Sequence, residues 1–387
     1  MKIAVPRETA EGEARAALTP PVAGQLVAAG NEVLVQAGAG EAAHFTDAAY
    51  SEAGARIVPD APALYGEADL VLRVGRPSDE EIEMLRPDAV LIGTLGTLSN
   101  PKLAARLAER GITAISMDAI PRITRAQSMD SLSSQSTVGG YKAVLLAASR
   151  LPKFFPLLTT AAGTVRPARG LIMGAGVAGL MAIGTARRLG AVVEAFDVRP
   201  VVKEQVESLG GIFIEVPMSD EEKAAAQTTG GYAREMGEDY QRRQRELIAE
   251  RVQAADFVIT TALIPGRPAP KLVTADMVRT MQPGSVIVDM AAEAGGNCEL
   301  TEPGKEVTVD GVTIIGFTNL PATVPTHATQ MYAKNVQTLV EHLAPEGQLR
   351  IDLEDEITRG ATITHGGKVV HEATAAALAA LSGESKA

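Results

Sequence analysis

One cysteine, five histidines and no surplus of basic charge characterise this 387-residue chain. Cys298 stands alone, so no intrachain disulfide can form; a reducing cytoplasm is the compartment that suits it, and a buried free thiol is its expected role. The histidines are His44, His327, His342, His365 and His371, which leaves 45–326 without an imidazole, and no Cys/His spacing suits zinc. The net charge of -11 lacks the basic footprint that nucleic acid or an anionic lipid surface would demand as main partner. No apolar stretch reaches transmembrane length, and the opening MKIAVPRE runs into a strand-like segment without the apolar core of a signal peptide. Sub-domain repeats and low-complexity tracts are also missing. What the chain does have is a 46% hydrophobic composition and enough length for two domains, each with its own core.

Short apolar runs alternate with longer amphipathic ones. KIAV, EVLVQAG, DLVLRVG, AVLIGTL and ITAISM read as strands, and PPVAGQLVAAG, SDEEIEML and NPKLAARLAERG between them read as helices. A second series opens with GLIMGAG and continues through AVVEAFD, GIFIEVP, DFVITTA, GSVIVDM and VTIIGFT. The alternation predicts an α/β protein of two doubly wound, Rossmann-like parallel-sheet domains. Towards the end, Thr329–Leu343 reads as a long helix, and TITHGGKVVHE as two short strands around Gly366 and Gly367. That tail is too small for a third core, so it is expected to complete the first domain. The reading divides the chain into a discontinuous first domain, 1–132 with 328–387, and a second domain, 133–327.

Two segments carry the chemical argument. Gly174, Gly176 and Gly179 follow a strand and open an amphipathic helix, which is the context a dinucleotide fingerprint requires. Glycines make the tight turn and let the pyrophosphate approach, and the phosphates rest on a helix N-terminus. Val177 and Ala178 fill that turn. Asp197 ends the next strand, where a carboxylate can accept the ribose hydroxyls of NAD and would repel a 2′-phosphate; Arg199, two residues on, is the group that could instead receive such a phosphate. Val198 lies between them. The second segment is PRITRAQSMDSLSSQS, 121–136, which packs Arg122, Gln127, Asp130 and Ser133 into a run with no amphipathic period. It is either a polar interdomain linker or one wall of a cleft whose other wall is the glycine turn. A nicotinamide carboxamide wants donors and acceptors, and hydride transfer needs held geometry rather than a titrating group.

Two further strand ends are expected at the same crevice: TTALIPGRPAP, which contains Thr261, Ala262 and Leu263, and AAEAGGNC. Their small residues let backbone approach a ligand, though ordinary turns use the same residues. Tyr232 in TTGGYAREM is either part of a glycine-hinged lid or an incidental tyrosine on a solvated hairpin.

RAQSMDSLSSQS, GAGVAG, GGYAREMGE, TTALIPGRPAP and AAEAGGNC, in this order, resemble the NAD(H)-binding soluble component of proton-translocating nicotinamide nucleotide transhydrogenase. The similarity spans nearly the whole chain, and it is to the form in which this component is a separate polypeptide. The resemblance implies direct hydride transfer between NADH and NADP⁺, with NADP(H) held by a partner subunit and a membrane-spanning proton-channel subunit completing the complex. It implies a homodimer, active only with its partners and attached peripherally to the inner membrane through them. Carried over by position, Arg122, Gln127, Asp130 and Ser133 would contact the nicotinamide and its neighbouring ribose or phosphates, with Gln127 helping to shift the ring. Asp197 would hold the adenosine ribose, and Tyr232 would belong to a loop that closes on NAD(H).

Alanine dehydrogenase shares the architecture and the opening pattern, here GEARAALTP with Arg15. That enzyme needs a cationic clamp and an acid/base group for a keto acid. Its lysine position is Gly75 here, its histidine position Gly96, and its later aspartate Glu293. A third possibility is a non-catalytic NAD(H)-binding module. Transfer to NADP⁺ with a partner, turnover of alanine alone, or binding without chemistry would separate the three.

Overall fold

The computed structural model describes residues 1–216, 238–264, 266–345, 347–381 and 383. The chain forms two compact units, Met1–Gln135 with Pro321–Ala387, and Ser136–Leu320.

In the first unit, β1 (Lys2–Val5), β2 (Glu32–Gln36), β3 (Arg56–Val58), β4 (Leu70–Leu72), β5 (Val90–Gly93) and β6 (Thr113–Ser116) form a parallel sheet of order β3-β2-β1-β4-β5-β6. Side chains alternate between faces. Ile3, Val5, Val33, Val35, Leu70 and Leu72 enter one core, while Ala4, Leu34, Val71 and Leu91 enter another on the opposite side. Helices cover both cores, which is why the strands read as continuous apolar runs. The helices start where their caps allow: α1 (Pro20–Ala28) is capped by Thr19, and α4 (Asp79–Met84) by a reciprocal Ser78–Glu81 capping box.

The second unit repeats the plan. β9 (Arg169–Met173), β10 (Val192–Phe196), β11 (Ile212–Phe213), β12 (Phe257–Thr260), β13 (Val286–Asp289) and β15 (Val312–Ile315) run parallel in the order β11-β10-β9-β12-β13-β15, with β14 (Glu306–Val309) antiparallel at the edge. The strand order reverses beside β9, between β10 and β12, and ligands bind outside the carboxyl ends at such a point. A separate hairpin, β7 (Leu158–Thr160) with β8 (Gly163–Val165), is almost wholly exposed.

The C-terminal segment returns to the first sheet, as its size led us to expect. α11 (Pro325–Leu343) buries Tyr332, Val336, Leu339 and Val340 in the first unit, and β16 (Thr362–His365) pairs antiparallel with β6. One long element departs from the sequence reading. Ser131–Arg150 is a single 20-residue helix, α6, where the polar run read as aperiodic, and the division at Gln135 and Ser136 falls within it. Its inward positions after the division, Ala143, Val144 and Ala147, leave only a faint apolar stripe over SLSSQSTVGGYK.

Candidate functional site

The glycine turn between β9 and α7 (Val177–Arg188) has three different glycines. Gly174 has φ +102, and its N–H donates to the Phe196 carbonyl at 2.8 Å; a Cβ there would lie 2.5 Å from Thr261 Oγ1. A Cβ on Gly179 would sit 1.8 Å from the Gly174 carbonyl oxygen, so the helix can fold back onto the turn only with glycine. Gly176 is the N-cap of α7 with no side-chain cap, and a Cβ built there meets nothing within 4 Å. The outer glycines therefore close the turn. The middle one leaves open space above an uncapped helix N-terminus, the place for an anionic pyrophosphate. Val177 is exposed and Ala178 half-buried in that first turn. Gly140 of α6 backs it: a Cβ there would come 2.1 Å from the Ala178 carbonyl oxygen.

Asp197 follows β10 directly. Its carboxylate accepts from the Ala175 N–H at 2.7 Å and the Arg199 N–H at 2.8 Å, and from Arg199 Nε and Nη2, each at 3.0 Å. Burial alone would raise this carboxyl, but the Arg199 guanidinium and the two amides outweigh it and hold it below the ordinary aspartate value. Val198, Leu263 and Ile264 are exposed apolar side chains at this edge of the unit.

Thr261, Ala262 and Leu263 leave β12 beside the turn. The Thr261 hydroxyl donates to the Gly174 carbonyl at 3.1 Å. Ala262 is held by a residue the sequence reading treated as turn material: fully buried Asn297 accepts from its N–H at 3.0 Å and donates to its carbonyl and to that of Pro270, both at 2.8 Å. Asp289, also buried, accepts from Thr260 Oγ1, Ala291 N, Cys298 N and Thr301 Oγ1. Four donors satisfy a carboxylate that would otherwise be costly to bury. The legible signal was the pair of left-handed glycines, Gly295 and Gly296, directly before Asn297. Cys298 is a buried free thiol, pushed up by burial.

In the first unit, the Thr124–Met129 stretch of the polar run is a 3-10 turn, whose three-residue repeat buries Ala126 and Met129 and leaves Gln127 outward. Asn335 anchors it by donating to the Ser128 carbonyl at 2.8 Å. The side chains of Arg122 and Gln127 are exposed and make no hydrogen bond or ion pair to a described residue. Asp130 caps α6 instead: Oδ1 accepts from the Ser133 N–H at 2.9 Å, and Oδ2 from its hydroxyl at 2.6 Å. Tyr232 lies outside the described residues.

The keto-acid positions are occupied differently. Arg15 is forked onto Glu13 at 2.8 and 2.6 Å and also donates to Gln135. Arg73, 1% exposed, bridges Glu8 and Glu81 and donates to Tyr65; these partners hold it cationic although burial works against it. Gly75 supplies no cation, and at Gly96 only the backbone N–H engages Asp118. Glu293 accepts from the Asn319 N–H. Among the described residues, no cluster of three or more His, Cys, Asp or Glu could hold a metal, and no helix is long and apolar enough to cross a membrane.

Comparison with known proteins agrees with this geometry. The family model described as the alanine dehydrogenase/PNT N-terminal domain matches residues 4–139, and that of the C-terminal domain matches 143–372. In Rhodospirillum rubrum, where the NAD(P) transhydrogenase α subunit is divided, its first portion is 50% identical over 380 residues, covering 96% of this chain and 98% of that protein. The crystal structure of transhydrogenase from Sinorhizobium meliloti superposes with a TM-score of 0.87 at 44% identity, covering 96% of this chain and all of that one. An L-alanine dehydrogenase superposes with a TM-score of 0.82 at 29% identity, over 98% of this chain and 100% of that one. The shared backbone with the lower identity, together with the changed keto-acid positions, separates the two kinds of relative. The chain belongs to the alanine dehydrogenase/PNT family and, within it, to the branch of the NAD(P) transhydrogenase α subunits.

Proposed function

We propose that this chain is the NAD(H)-binding component of a proton-translocating, Re/Si-specific NAD(P)⁺ transhydrogenase. It works as a homodimer with an NADP(H)-binding subunit and a membrane-spanning proton-channel subunit, held peripherally at the inner membrane by them. The observation that carries the reading is the uncapped N-terminus of α7 above Gly176, with a carboxylate at the end of the neighbouring strand. Gly174, Gly176, Val177, Ala178 and Gly179 bind the pyrophosphate with backbone donors. Asp197 selects the adenosine ribose, while Val198, Arg199 and the Thr261–Ala262–Leu263 backbone border the adenosine. Bound NADH supplies the hydride that passes to NADP⁺ on the partner subunit, coupled there to proton translocation.

Arg122, Gln127, Asp130 and Ser133 orient the nicotinamide end. Gln127 and Arg122 suit this because neither is spent on the chain's own folding. Asp130 and Ser133 contribute through the cap they form, which fixes where the segment ends. Tyr232 is assigned to the closing loop by position alone. No imidazole or metal is required, because the chain's contribution is geometry. A keto-acid reaction is disfavoured, since Arg15 is already neutralised by Glu13 and no lysine stands at residue 75. The exposed apolar residues Phe154, Leu157 and Val165 on and beside the β7–β8 hairpin support a self-association surface.

The test mixes the purified chain with NADH, an NADP(H)-binding partner and NADP⁺, and follows nicotinamide absorbance. Hydride transfer that requires all components is expected. Binding without transfer, or alanine-dependent NAD⁺ reduction by the chain alone, would overturn the reading.

A further inference from the structure

A carboxylate offers four lone-pair positions, and at Asp197 the chain fills all four. Oδ1 takes the Arg199 N–H and Arg199 Nε; Oδ2 takes the Ala175 N–H and Arg199 Nη2. A ribose diol brings two O–H donors and needs two of those positions. The amide bonds belong to the main chain of the glycine turn and the strand exit, so they cannot be released without moving the backbone. Only the guanidinium can leave. Its side chain is 41% exposed, whereas that of Asp197 is 6% exposed, so the pair opens from the arginine side and the carboxylate stays fixed.

We propose that Arg199 is a specificity-determining latch: it closes the Asp197 carboxylate, and a dinucleotide with free 2′- and 3′-hydroxyls binds by displacing it. The proposal deepens the NAD(H) reading and rests on it. Binding then exchanges a charge-assisted fork for two neutral hydroxyl bonds, so the latch lowers NADH affinity. Other donors, which cannot present two hydroxyls at this spacing, do not recover the loss. A 2′-phosphate fares worse, because it brings no donor pair to Asp197 and meets the uncovered carboxylate with its own charge. The sign of the expected effect is therefore unusual for a residue bordering a ligand: removing Arg199 strengthens NADH binding.

The experiment titrates NADH and NADPH fluorescence into the full chain, as wild type, Arg199→Ala, Arg199→Lys and Asp197→Asn, at low salt and in about 0.5 M salt. Arg199→Ala is expected to bind NADH about fivefold more tightly, the equivalent of ~1 kcal/mol for a partly exposed ion pair. That gain should shrink in high salt, where the pair is already screened. NADPH should gain nothing, so the preference for NADH widens. Arg199→Lys, which keeps the charge but cannot fork, should fall between, and it carries the test if the alanine variant fails to fold. Equal or weaker NADH binding by Arg199→Ala, with Asp197→Asn still weakening it, overturns the latch alone. Unchanged NADH affinity in Asp197→Asn overturns the site reading and the latch with it.

Discussion

The two units share a strand order and treat the carboxyl edges of their sheets in opposite ways. In the first, α1 begins with Pro20 and Pro21, which lack N–H groups, and Thr19 caps the next donor, so the helix end offers little to an anion. In the second, α7 begins at a bare Gly176 with open space above it. The first edge also satisfies its own charges, Arg15 with Glu13 and Arg73 with Glu8 and Glu81. The second satisfies only those beneath the surface, Asp289 and Asn297. A doubly wound sheet is therefore not in itself a binding site. It becomes one where backbone donors are left uncapped and the supporting polar groups are locked from behind.

The strongest way to break this contrast is at Gly179. Gly179→Ala drives a methyl into the Gly174 carbonyl and must displace the turn, so NADH affinity by fluorescence titration should fall by at least about a hundredfold, the scale of an ångström-sized misplacement. Retained affinity would mean that the turn does not hold the dinucleotide. Next in size is Gln127→Asn, which shortens an outward amide that the fold does not use. Transfer should slow by roughly a hundredfold in stopped flow while NADH affinity changes little; parallel losses would remove its orienting role.

Asn297→Ala sharpens the contrast from behind. It strands the Ala262 amide and two carbonyls in a buried place, so we expect ~2–3 kcal/mol of lost stability in a denaturant melt, together with weaker NADH binding. A loss of stability with unchanged binding would detach this lock from the site. The smallest effect belongs to the first unit. Burial tends to raise the Asp355 carboxyl, but the Thr358 amide, His342 and Arg125 hold it below the ordinary aspartate value. A depressed carboxyl stabilises the fold above its unfolded pKa and loses that contribution as pH falls through the folded one. Asp355→Asn keeps the helix cap and should cost about 1 kcal/mol near neutrality, with the difference from wild type vanishing in acid. NADH affinity should not move at all; if it does, the first unit's ion pairs are not merely internal.

Particular residues show what was legible in the sequence. The strands beginning at Lys2, Glu32, Arg169 and Val192 announce themselves by apolar runs bounded by glycine and proline, because strands covered on both faces have no polar side. The glycine spacing at 174, 176 and 179 is legible because a positive φ and a 1.8 Å approach tolerate no side chain. α6 was not legible: Gly139, Gly140 and a run of serines weaken its periodicity, and its start is fixed by the Asp130 cap. β3 escaped because three residues are too few to show a period.

Local order and stereochemistry were thus the sequence's own to determine: which segments alternate, where the sheets wind, and which positions must be glycine. Only the tertiary structure decided that Arg199 covers Asp197, that Asn297 grips Ala262, that Gly140 lies against Ala178 and that Arg15 is spent on Glu13 and Gln135. The reason is one of range. A hydrogen bond exists only within about 3 Å, and whether groups far apart along the chain come that close depends on how the elements pack, which no periodicity within either segment encodes.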